Sequence, residues 1–293
     1  MKSFLSLILT FSLFSAIAQE DSLLSGLDQA QPKEKVYTTS TFKGSRLINN
    51  YTSETLGKKN LEFRVGHRFG DVGGGEETFW GLDNANMNIT LDYGITQNLT
   101  IGIGRHSFEK MYEGVAKYRL LRQTDGNEMP ITMTVLGKAN ILSNTKGAAY
   151  DDPINAWSYV AELIFARKFN KHFSLMISPT YIHINLVPTE FTSNDIFALS
   201  LGARYKITRS VAITGEYSHV LNDYYDKQLA SFIPVASIGV DLETGGHVFQ
   251  LFLTNGNSLN EVQFIPSTTS DWGREEFRFG FNISRIFGNS GKR

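Results

Sequence analysis

The sequence has no cysteine among its 293 residues. Disulfides, thiol catalysis, cysteine-ligated metals and a lipid anchor on cysteine are therefore excluded. An excess of charge of one sign is also missing: Lys and Arg number 28, Asp and Glu 29, for a net charge of −1. No strong electrostatic partner is implied, and nucleic acid is not expected. Beyond the first residues no apolar run reaches the ~18 residues of a transmembrane helix. No helical period of useful length occurs. None of the 6 histidines stands in a His-x-x-x-His spacing, and there is no Gly-x-Ser-x-Gly elbow. Ser218 and His219 are adjacent, so on a strand they point to opposite faces and cannot act together. No catalytic, cofactor or metal site is expected, and the chain does not read as an enzyme.

What is present is alternation, clearest over residues 235–255. Before its turn the apolar residues are even-numbered: Ala236, Ile238, Val240, Leu242. After it they are odd-numbered: Phe249, Leu251, Leu253. A period of two is that of a strand. A change of parity needs a loop with an even number of residues. Thr244-Gly245 or Gly245-Gly246 supplies two, and glycine provides the positive φ of a primed turn.

The first residues differ. Lys2, an apolar core over 4–14 and Ala16-Ile17-Ala18 make a secretory signal over 1–18. Residues 19–59 are polar and read either as a periplasmic arm or as a plug folded into a lumen. Alternation then recurs in about twelve runs between 60 and 287. In residues 61–69, for example, Leu61, Phe63, Val65 and Phe69 oppose Glu62, Arg64 and Arg68. Ile182 and Ile184 blur the polar face of the run that starts at Phe173. Connections alternate long and short, the longest being 255–274. A polar tail occupies 288–293.

Alternation suits a soluble sandwich as well as a membrane barrel. Three features favour an all-β, transmembrane, antiparallel up-and-down barrel. The last strand, 277–287, is aromatic-ended, as outer-membrane insertion machinery recognises. Runs of ~9–11 residues match a tilted membrane crossing. Phe169, Phe173, Tyr93, Tyr205 and Phe287 fall beside the short turns, where an aromatic girdle belongs. The expected setting is the outer membrane, with lipid against the apolar face.

Four stretches carry a resemblance: 93–105 (YGITQNLTIGIGR), 117–123 (KYRLLRQ), the hairpin at 235–255, and 280–285 (GFNISR). The chain resembles a family of outer-membrane β-barrel proteins of the Bacteroidota that is catalogued as a domain of unknown function. The resemblance covers nearly the whole mature chain and is most specific over 243–251. It implies fold and location, and it carries no catalytic residues.

The polar faces put Glu62, Arg64, Asp92, Lys117, Arg119, Lys138, Glu162, Arg204, Glu216, Asp241 and Arg278 toward the lumen. They could line a polar pore or a solute site, or they could fill a narrow barrel as an ion-pair network. A charge on the lipid face would cost roughly 2–4 kcal/mol at the midplane. Trp80, Trp272, Tyr224 and Tyr225 lie on long loops and are expected to pack over the mouth. Two functions follow: a barrel that passes or binds a small solute, or an accessory barrel with a packed lumen that serves a protein partner.

Overall fold

A computed structural model describes residues 35–288. The expected signal at 1–18 and the tail from 289 lie outside the described residues. Twelve strands form one closed barrel. They are β1 (Leu61–Phe69), β2 (Ala85–Gly94), β3 (Leu99–His106), β4 (Met111–Leu121), β5 (Thr132–Leu142) and β6 (Trp157–Lys168), then β7 (Phe173–Ile184), β8 (Asp195–Lys206), β9 (Val211–Val220), β10 (Val235–Thr244), β11 (His247–Thr254) and β12 (Arg278–Phe287). Each pairs antiparallel with its neighbours in sequence. β12 closes on β1, from Leu61↔Phe287 to Arg68↔Gly280. Closure removes every sheet edge, so the wall leaves no row of backbone donors unpaired in lipid.

The parity argument fixes the register of β10 and β11. Val240 faces Leu251, Asp241 faces Gln250, and Thr244 faces His247 across the turn. Gly245 and Gly246 have φ of 48° and 94°, the two positive values that a type I′ turn requires. Along each strand, exposed apolar residues alternate with buried ones. Tyr93, Phe169, Tyr205 and Phe287 are exposed at the short-turn end; Tyr112, Tyr159, Phe197 and Phe279 are exposed toward the long-loop end. These are two aromatic girdles flanking an apolar band.

Three expectations need correction. The alternation of loop lengths fails twice. The connection between β3 and β4, at the long-loop end, is only 107–110, and that between β4 and β5, at the other end, is 122–131. The second is lengthened by its own turn: the Thr124 N–H donates to Met129 O and the Thr124 hydroxyl accepts from Met129 N, both at 3.0 Å. The longest loop is not irregular throughout, because it holds a helix, α1 (Glu261–Ser267), with Asn260 capping its first turn. Seven residues are too few for a helical period to register in sequence. The interior is also not uniformly polar. Leu136, Ile164, Met176, Ile182 and Ile196 all point inward and are buried. The isoleucines that blurred the face of β7 mark this apolar lining.

Candidate functional site: the filled lumen and the cavity at its loop end

Residues 41–56 lie inside the barrel. They form a tight hairpin, with Arg46 paired to Tyr51 and backbone bonds from Thr52 N to Ser45 O and from Leu47 N to Asn50 O, both 2.9 Å. A polar segment without a sheet partner must find hydrogen bonds elsewhere when buried. Here the inward side chains of the wall supply them, from strands all around the circumference. The Glu216 carboxylate on β9 accepts from the backbone N–H of Ile48 and Asn49 at 2.8 Å and of Asn50 at 3.1 Å. Arg64 on β1 and Asn282 on β12 donate to Ile48 O at 2.8 and 3.1 Å. Lys117 on β4 donates to Ser45 O and Thr52 O at 3.4 and 3.2 Å. Thr134 on β5 donates to Ser53 O at 2.9 Å, and Gln250 on β11 donates to Leu47 O. Apolar contacts complete the fit, since Phe42, Leu47 and Tyr51 pack on Val115, Leu136, Ile164 and Met176.

The second insertion comes from the long-loop end. Val262, Phe264 and Ile265 of α1 pack against Val160, Ile182, Ile196 and Val235 of the wall and against Phe191 and Tyr224 of neighbouring loops. Tyr224 donates from its hydroxyl to Pro266 O at 2.6 Å. Burial, with Tyr225 beside it, raises the Tyr224 phenol above its ordinary value, so it stays protonated and keeps donating. Trp272 stacks on Phe277 at 5.0 Å and donates to Ala236 O at 3.3 Å. Tyr224 and Trp272 thus pack the loops as expected. Trp80 does not; it is exposed.

One buried ion cluster joins both insertions to the wall. Arg46 reaches Glu113 at 3.1 Å and Glu261 at 3.3 Å. Lys138 pairs with Glu113 at 2.9 Å and also with Glu261. His106 Nε2 lies 3.0 Å from Glu113. Asn260 donates to Glu113 and to Asn140 at 2.9 and 2.8 Å. Two cations face two carboxylates in a site nearly closed to water, where each charge depends on its partners.

All eleven residues placed toward the lumen are buried. They are not brought together as one site. Lys138 sits in the cluster above. Arg204 pairs with Asp241 at 3.3 Å and with Glu243 at 2.5 Å. Arg278 holds the long loop, donating to Asn255 O at 2.7 Å and approaching Asp71 at 3.3 Å. Arg119 donates to Gln97 O at 3.0 Å. Lys117, Arg64 and Glu216 grip the inserted hairpin. Glu62 and Asp92 are direct cross-strand neighbours, each with one oxygen lacking a protein partner. Glu162 accepts from Thr180 at 3.4 Å through one oxygen only. Unpaired buried oxygens of this kind call for water. Among the described residues no group of three or more His, Asp or Glu is placed to hold a metal ion.

Where the long loops meet above α1, they leave a cavity of ≈ 310 Å³ near Tyr224 and a larger one of ≈ 590 Å³. The larger is walled by Met111, Leu142, Trp157, Ile184, Phe191 and Val262, with Glu109, Asn155 and Gln263 among its polar groups. Its size is that of a small-molecule pocket.

A family model described as "Membrane bound beta barrel domain (DUF5777)" matches residues 42–287. The chain belongs to this family. The DUF5777 match begins at 42, so it takes in the inserted hairpin as well as the wall. No curated protein matches the sequence. Among solved structures, the NanC porin has a TM-score of 0.48 at 10% identity, covering 77% of this chain and 98% of its own. The KdgM porin gives 0.47 at 8%, covering 78% and 99%. The COG4313 outer membrane channel from Pseudomonas putida F1 gives 0.48 at 12%, covering 80% and 98%. The likeness is one of outline and says nothing of cargo. With the closed strand order, the DUF5777 match makes this a membrane β-barrel.

Several interior residues of this DUF5777 barrel were absent from the set read off the sequence. Glu113 shares the inward parity of Lys117 and Arg119 on β4, and Arg68 that of Glu62 and Arg64 on β1, so both were within reach of the same rule. Arg46 and Glu261 lie outside strands, where no period assigns a side.

Proposed function

We propose that this protein is an outer-membrane barrel that binds a small solute at its long-loop mouth, with its lumen closed at rest. In this reading residues 41–56 are the plug, and α1 is both the floor of the mouth and the upper layer of that plug. The observation that carries it is the ≈ 590 Å³ cavity, seated above a lumen where Ile48 and Phe264 are fully buried. The short-turn end faces the periplasm, the long loops face outward, and the aromatic-ended β12 is the signal for insertion. No catalytic step is part of the reading.

The packed lumen also favours a second reading, an accessory barrel serving a protein partner. Planar-bilayer conductance addresses the plug directly. The intact protein is expected to stay at lipid background, and a variant lacking both 41–56 and 261–267 is expected to conduct, because Glu216, Lys117, Arg64 and Gln250 would then line a wet lumen. Conductance equal in the two proteins would remove the plug reading. Solute binding that survives filling of the cavity would remove the mouth reading, and absence of solute binding would leave the accessory barrel.

A further inference from the structure

We infer that the loop-end cavity takes a small organic cation with an apolar body, its ammonium group held beside Glu109. This rests on the mouth-binding reading above and names its ligand class. Three observations carry it.

Charge is segregated along the barrel. The six connections at the cavity end carry fourteen Asp and Glu against four Lys and Arg, while the five turns at the other end carry two against three. A chain that is nearly neutral as a whole therefore has one strongly negative mouth. Such a field concentrates cations and repels anions before contact.

The cavity itself repeats that sign. Among the residues that line it, Glu109 is the one charged side chain. Its Oε2 accepts from Gln263 Nε2 at 2.8 Å, and the Gln263 Oε1 in turn accepts from Ser258 at 2.6 Å. That chain fixes the amide and so aims the carboxylate, which is otherwise exposed. An anionic ligand would meet the carboxylate with no lining cation to offset it, a built-in discrimination against that class.

The remaining walls suit the body of an organic cation rather than a hydrated metal ion. Met111, Leu142, Ile184 and Val262 are apolar, and Tyr150, Trp157 and Phe191 are aromatic residues of the lining. Rings of this kind hold quaternary ammonium groups through the negative face of the π-system. A metal ion would leave the apolar wall unused and lacks three convergent carboxylates or imidazoles among the described residues.

The test uses the full protein in phosphatidylcholine nanodiscs, with calorimetric titration of three probes of one shape: benzyltrimethylammonium, phenylmethanesulfonate and benzyl alcohol. The cation is expected to bind most tightly and the sulfonate least. Glu109→Gln is expected to weaken the cation about five-fold, as loss of one exposed charge interaction allows, and to leave benzyl alcohol unchanged. Ala156→Trp fills the cavity and is expected to abolish binding of both; Thr189→Trp, at an exposed lining position, serves if Ala156→Trp does not fold. Sulfonate binding as tight as the cation, or no effect of Glu109→Gln, overturns the cation class. If benzyl alcohol still binds and is lost in the tryptophan variant, the mouth reading survives that failure. Absence of binding by all three probes, or binding indifferent to the tryptophan, overturns both.

Discussion

At the scale of single residues, the interior divides into charges that hold one another and charges that do not. Glu113 touches Arg46, Lys138 and His106. Removing its charge leaves two buried cations to share Glu261. Glu113→Gln is therefore expected to destabilise the barrel by about 3–5 kcal/mol, read as a lowered urea midpoint in lipid vesicles. Asp92 is the opposite case. It faces Glu62 directly across β1 and β2, and like charges so placed oppose each other. Asp92→Asn is expected to keep or raise the same midpoint. Parity along a strand assigned Asp92 a side and was able to assign Glu113 one, but it could not tell these roles apart. The difference depends on Arg46 and Glu261, which arrive from segments without a period.

At the scale of elements, each strand was legible because its side chains alternate between two unlike media. A change of parity required an even turn, at Thr244-Gly245 or Gly245-Gly246, and the register and positive φ values place it at Gly245-Gly246. Inward packing was less legible, as β11 and β12 illustrate. Phe252 faces Gly280 across that pair, and its ring covers the glycine. A Cβ on Gly280 would meet Phe252 Cε2 at 2.2 Å. Gly280→Ala is expected to cost about 1–3 kcal/mol, the usual penalty of overpacking, measured as a lowered thermal midpoint of the heat-modifiable band. The glycine is small for its neighbour's sake, a reason invisible within β12 itself. Helix α1 escaped for a related reason. Its seven residues are buried on almost every side, so they have no amphipathic stripe to reveal them.

At the scale of the whole molecule, the barrel is a wall with lipid outside and a second, folded interior within. Leu251 sits mid-strand on the outer face and is 56% exposed. Leu251→Arg would place a charge in the apolar band. It is expected to lower folding stability in vesicles by about 2–4 kcal/mol if the residue lies at the midplane. A loss well under 1 kcal/mol would place Leu251 nearer an interface. Loss of the inserted hairpin acts differently, since it withdraws hydrogen-bond partners from eight strands, β3 through Thr100 and β10 through Ser237 included, without touching their pairing. Wall and filling are therefore separable, and conductance and unfolding should report on them separately.

The sequence by itself determined the wall: about twelve strands in up-and-down order, an even-numbered turn between β10 and β11, and the side on which Glu62, Lys117 or Arg204 lies. These follow from a period of two and from turn chemistry, both of which are local. Only the tertiary structure decided what occupies the lumen. Residues 41–56 and 261–267 have neither period nor enough intrinsic stability to announce their place. Beyond its own cross-bonds, the backbone of 41–56 is satisfied where Glu216, Arg64, Lys117, Thr134, Gln250 and Asn282 converge from distant strands, and that convergence exists only once the barrel has closed.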